Sequence, residues 1–84
     1  MNVRVYVSLP DGRCFVRDFV LPIVASKGLA IDVKDMEPII FDRVWCNEEG
    51  EVWAFVEHPN MVPDEALARA GFIRDLIADK GTDL

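Results

Sequence analysis

VRVYVSLPDGRCFVRDFV, residues 3–20, is the stretch on which the fold turns. Residues 3–9 alternate apolar and polar side chains with the period of two expected of a half-buried strand. Pro10-Asp11-Gly12-Arg13 then reads as a turn: proline presets φ, aspartate bonds to nearby backbone, and glycine accepts a positive φ. Residues 14–20 return with strand character, so the whole stretch predicts a β-hairpin.

Working outward, residues 39–46 (IIFDRVWC) and 51–57 (EVWAFVE) are rich in aromatic and β-branched side chains. Asn47-Glu48-Glu49-Gly50 joins them as a short loop, which makes a second hairpin. Between the hairpins, Leu21–Pro38 supports two readings. Pro22 could open a short helix over 22–28 that Gly28 closes, or the apolar residues 29–33 (LAIDV) could add a fifth strand. After the break at His58-Pro59-Asn60, a helix is predicted from about Pro63 to Lys80. Proline suits its first turn, Asp64 and Glu65 complement the helix dipole there, and Gly81 follows as a stop. At about 100° per residue, Ala66, Ala70, Ile73, Leu76 and Ile77 form its apolar stripe, with Leu67 and Phe72 at the margins. Gly71 then stands in mid-helix, where it costs about 1 kcal/mol relative to alanine.

The predicted fold class is therefore α+β: an antiparallel sheet of two hairpins, about four strands, with the C-terminal helix packed on one face. The 84 residues make one domain, since two would each be too short for a self-sufficient core. No apolar run approaches the roughly 20 residues of a membrane helix. The opening Met1-Asn2-Val3-Arg4 runs straight into strand pattern and not into a signal peptide, so a cytoplasmic location is expected. Cys14 and Cys46 lie in apolar runs and read as small buried thiols.

Strand periodicity sorts the residues into two faces. One collects Val3, Val5, Val7, Cys14, Val16, Val20, Ile40, Val44, Cys46, Val52, Ala54 and Val56, and is expected to be the core. The other collects Tyr6, Phe15, Phe19, Phe41, Trp45, Trp53 and Phe55, with Arg4, Arg17 and Arg43 interleaved. Three readings fit that second face. It can be a further core layer roofed by residues 21–38. It can be a protein-binding or self-association face, where tryptophan, tyrosine and arginine are the usual anchors. Or its rings can stack the bases of a single-stranded nucleic acid.

Fifteen acids against nine bases give a net charge of −6, which argues against a duplex-DNA-binding surface. The acids gather away from the aromatic face. Asp32, Asp35 and Glu37 lie in the middle segment, Glu48, Glu49 and Glu51 in the second hairpin turn, and Asp64, Asp75 and Asp79 on the helix. The first two groups are read as an acidic edge, able to compete for a basic site on a target protein.

Catalytic signatures are absent. His58 is the single histidine, Ser8 and Ser26 lie in no nucleophile motif, and the glycines form no phosphate loop. Cys14, Cys46 and His58 are too few for a structural zinc site, and no cofactor is called for. The expectation is a small non-enzymatic protein-binding module, adaptor or inhibitor in type, acting through the aromatic and arginine face or the acidic edge. A single-stranded nucleic-acid platform and a homo-oligomeric structural subunit are the alternatives. Size alone also suits an accessory protein of a phage or mobile element.

Overall fold

A computed structural model describes residues 1–77. The expectations for Ala78, Asp79, Lys80 and Gly81 lie outside the described residues. In chain order the elements are β1 (Asn2–Ser8), β2 (Cys14–Val20), β3 (Ala30–Ile31), β4 (Ile39–Ile40), β5 (Arg43–Cys46), β6 (Val52–Glu57), α1 (Asp64–Arg69) and β7 (Ile73–Arg74). Five strands form one sheet in the order β5-β6-β1-β2-β7, and β3 and β4 pair as a separate small ribbon.

Both predicted hairpins form, as β1–β2 and β5–β6. The sheet is not wholly antiparallel, however: the hairpins are joined by parallel pairing of β1 with β6. The connection between them is long enough to make that crossover, which a tight turn could not. The middle segment holds no helix over 22–28. Gly28 instead turns at φ 86°, its N–H donates to the Phe41 carbonyl at 2.8 Å, and Phe41 N–H returns to Leu29 at 3.0 Å. The chain from Gly28 to Phe41 is thereby closed as a small hairpin that includes β3 and β4.

The C-terminal helix is much shorter than periodicity implies. It ends after Arg69, because Gly71 takes φ 89°. Phe72 N–H reaches back to Leu67 O at 2.9 Å and Gly71 N–H to Ala68 O at 3.0 Å, the paired bonds of a Schellman cap. Phe72 then turns into the core, and Ile73–Arg74 joins the edge of β2. The expected stripe is correspondingly dissolved: Ile73, Leu76 and Ile77 are 72%, 67% and 100% exposed, while Leu67 and Ala70 are buried.

The core occupies one side of the sheet. Val3, Val5 and Val7 of β1 and Ala54 and Val56 of β6 pack with Leu21, Ala25, Val33, Ile39 and Phe41 of the middle segment. Leu67, Ala70 and Phe72 belong to the same cluster.

Two register shifts correct the sorting of faces. In the first hairpin, Leu9 N–H donates to Arg13 O at 2.9 Å, so the loop proper is the three residues Pro10-Asp11-Gly12, with Gly12 at φ 92°. That loop length sets Val7 opposite Phe15 and Val3 opposite Phe19. Phe15, Arg17 and Phe19 therefore share the core side, and Cys14, Val16 and Val20 the other, the reverse of the periodicity reading. In the second hairpin, Asp42 N–H donates to Phe55 O at 2.8 Å although Arg43 is the ladder partner of Phe55. Two residues thus face one, as in a β-bulge, and the alternation slips by one position before it. Phe41 is turned into the core at 1% exposure and Ile40 outward at 54%.

Candidate binding face

Among the described residues the covering layers lie on the core side, which leaves most of the opposite face of the sheet open, Cys14 at its end being buried. The pairing registers lay out its rows. Arg43, Phe55, Tyr6, Val16 and Ile73 run straight across all five strands, and Trp45, Trp53, Arg4 and Asp18 run beside them. Of the nine candidate residues, six stand on this face: Arg4, Tyr6, Arg43, Trp45, Trp53 and Phe55. Phe15, Arg17 and Phe41 do not.

The aromatic residues divide between the two sides of the sheet. Phe15, Phe19, Phe41 and Phe72, which carry no polar atom, are buried. Tyr6, Trp53 and Phe55 are half-buried and Trp45 is 40% exposed. The indole rings of Trp45 and Trp53 stack with centroids 6.2 Å apart and planes inclined by 22°. The Arg43 guanidinium lies 5.4 Å from the Trp45 ring centroid and 5.9 Å from that of Phe55, within cation–π range. Arg43 has no carboxylate partner among the described residues.

Arg4 is engaged differently. Its Nε and Nη2 donate to the two oxygens of Asp18 at 2.8 and 3.2 Å, a bidentate pair across β1 and β2. Those hydrogen bonds hold the Asp18 carboxyl below its ordinary value of 3.8, and they raise the Arg4 guanidinium further. Both groups are well exposed, so the pair orders the face more than it stabilises the fold. Shallow grooves furrow the face. One is lined by Tyr6, Ser8, Cys14, Trp45, Phe55 and Glu57, another by Arg4, Tyr6, Val16, Arg17, Asp18, Gly71, Ile73 and Asp75, so that Arg17 reaches it from the core side past Gly71.

Arg17 serves the interior. Nη1 donates to the Ala70 carbonyl at 2.7 Å and the guanidinium lies over Phe19 at 4.3 Å, so it fastens the end of α1 to β2. Arg13 does the same for the start of α1. It donates to Asp11 at 2.7 Å and to the Val62 carbonyl at 3.1 Å, and it pairs with Asp64.

The acidic edge is not one surface. Glu49 and Glu51 line a groove with Asn2 and Val20, at the start of β6. Asp35 and Glu37 line one with His58 and Met61, beyond the end of β6. The length of that strand, about 20 Å at 3.3 Å per residue, separates the two groups.

Val16, Asp18 and Ile73 belong to the open face, which corrects the assignment of Val16 to the core face and of Ile73 to the helix stripe. Val16 and Asp18 would follow from the three-residue reading of the first turn. Ile73 would follow from reading Gly71 as a helix stop.

His58 is 6% exposed, with Nδ1 held 3.1 Å from both the N–H and the carbonyl of Asn60. Cys14 is buried and Cys46 exposed, both as free thiols. Among the described residues, no three His, Cys, Asp or Glu side chains converge to form a metal site. No described helix is long and apolar enough to cross a membrane. No family model, curated protein or solved structure matches the chain.

Proposed function

We propose that this protein is a non-enzymatic protein-binding module whose partner docks on the open sheet face, centred on Trp45 and Trp53. The observation that carries this reading is the one-sidedness of the sheet. The middle segment contributes Leu21, Ala25, Val33, Ile39 and Phe41 to the core cluster of the valines, and Leu67, Ala70 and Phe72 belong to the same cluster; among the described residues this leaves the stacked indoles, Tyr6, Phe55 and Arg43, a cation with no carboxylate partner, on the other side. Rigid amphipathic rings and arginine supply most of the binding energy at protein interfaces, because they bury large area with little loss of side-chain entropy. The Arg4–Asp18 pair marks a polar margin to the patch.

The experiment is to isolate a protein partner, purify it, and titrate it with the wild type and with Trp45→Ala and Trp53→Ala. Each truncation is expected to weaken binding by roughly 30- to 1,000-fold, the range for a central anchor losing about 2–4 kcal/mol. Unchanged affinity in both variants would refute the reading. A parallel titration with a short oligothymidylate at low salt is expected to show no binding. Tight, salt-sensitive binding lost in Trp53→Ala would instead assign the face to single-stranded nucleic acid.

A further inference from the structure

His58 is buried, yet only one of its ring nitrogens is engaged. Nδ1 lies 3.1 Å from both the carbonyl and the N–H of Asn60, whereas Nε2 has no hydrogen-bond partner among the described residues. No side-chain nitrogen of the described residues is both sealed from solvent and unbonded, so Nε2 opens to the groove that His58 lines. A buried imidazole with one nitrogen against a backbone carbonyl and the other bare is arranged as a metal-ligating histidine is. The tautomer with its proton on Nδ1 donates to Asn60 O and leaves the Nε2 lone pair for a ligand.

The groove has a volume of about 250 Å³, and two thioethers line it beside His58, those of Met36 and Met61. Met36 is half-buried and packs against the core. Its N–H donates to Val33 O at 3.2 Å, in a turn that passes Asp35 at φ 69°. Met61 is 58% exposed, and the free rotation of a methionine side chain lets its sulfur reach inward. Asp35 and Glu37 also line the groove and have no ion-pair partner among the described residues. Two cations lie nearby. Lys34, next to Asp35 in the chain, does not line the groove, and Arg13, which donates to the Val62 carbonyl, is paired with Asp11 and Asp64. The groove therefore favours a positive ion.

The donor set selects among such ions. Zinc takes three or four histidine, cysteine and carboxylate ligands, and no three of those converge among the described residues. Thioethers are soft ligands that select monovalent copper. We infer that this groove binds one Cu(I) ion through His58 Nε2 and the sulfurs of Met36 and Met61, with Asp35 and Glu37 supplying negative charge around it. The inference is independent of the face reading, since none of these residues belongs to the open sheet face.

The test uses the full chain carrying Cys46→Ser, because an exposed thiol would bind Cu(I) by itself. Cu(I) is titrated anaerobically in competition with bicinchoninate, and one equivalent is expected to bind. His58→Ala, Met36→Leu and Met61→Leu are each expected to weaken binding by at least about 10- to 100-fold, the loss that even an outer partner of a metal site produces. Leucine keeps the volume of methionine, so the two leucine variants retain the wild-type circular dichroism spectrum and carry the test where His58→Ala does not fold. In carbon-13 spectra of the chain labelled on its methionine methyls, Cu(I) is expected to shift Met36 and Met61 and to leave Met1 in place. Absence of Cu(I) binding once Cys46 is replaced, or binding indifferent to both leucine variants, would overturn the inference. So would Zn(II) binding in the same groove that is lost in Asp35→Asn and unchanged in Met36→Leu, which would assign the site to oxygen ligands.

Discussion

Gly71 holds φ at 89°, and a methyl group on its Cα would come within 3.3 Å of Arg17 Nε. A side chain there meets both a left-handed backbone and the guanidinium that fastens α1. Gly71→Ala is therefore expected to destabilise the fold by about 1–2 kcal/mol, read as a lower urea midpoint. In a continuous helix the same change would stabilise by about 1 kcal/mol, so the sign separates the two conformations. Glycine was legible in the sequence as punctuation, but nothing local says whether a glycine ends a helix or merely weakens one. What decides is the competition downstream, where Phe72 is worth more in the core than on a helix margin. Three of the five phenylalanines, Phe15, Phe19 and Phe41, change face for a different reason, the register of their strands, while Phe55 stands on the face that periodicity gives it.

At the scale of elements, strand existence was the most legible feature and parity the least. The alternation in β1, β2, β5 and β6 is strong enough to predict both hairpins. A single residue in a turn or bulge, however, exchanges the two faces of a strand, and single residues are where sequence patterns are weakest. Leu9 and Arg13 pair across a three-residue loop, and Asp42 is the extra residue beside Phe55. From these two details the core gains Phe15, Phe19 and Phe41. The bulge makes a sharp comparison between two aromatic residues four positions apart. Phe41→Ala, at 1% exposure, is expected to cost about 3–5 kcal/mol and to unfold much of the population at 37 °C. Trp45→Ala is expected to cost less than about 1 kcal/mol, because its ring is already partly in water. Thermal denaturation followed at 222 nm measures both, and equal losses would contradict the bulge. β7 was illegible, because so short a pairing is held by tertiary context and not by its own propensity; β3 falls within the fifth strand offered as one of two readings, and β4 within the strand read over 39–46, although each is only two residues long.

Taken whole, the described residues form a sheet with one clothed side. Strand periodicity alone leaves open whether residues 21–38 roof the aromatic face, and the answer turns on where that segment's own apolar residues point. Leu21, Ala25 and Val33 join the valine side, so both indoles are left in reach of solvent. Tryptophan emission of the monomer is accordingly expected to be red-shifted and readily quenched by acrylamide. Blue-shifted emission resistant to quenching in a dilute, monomeric sample would mean that something covers the face after all. The acidic residues illustrate the reverse lesson: two groups that looked like one edge in sequence are set at opposite ends of β6, since charge runs carry no information about which elements lie between them.

The parallel pairing of β1 with β6 also has a consequence in time. β1 precedes the other strands of this sheet in the chain and is its central strand, yet one of its two neighbours arrives some fifty residues later, with β6. On a ribosome adding about 5–20 residues per second, the early hairpin must wait seconds with one side of β1 unpaired. During that interval the alternating, valine-rich β1 is itself an exposed edge, open to strands from other nascent chains. Closing so distant a pairing costs loop entropy before it returns any contact energy, so it belongs to the slow part of folding. Yield in the cell is then governed by how quickly β6 reaches β1, and slowing translation between residues 20 and 52 lengthens the period of greatest risk.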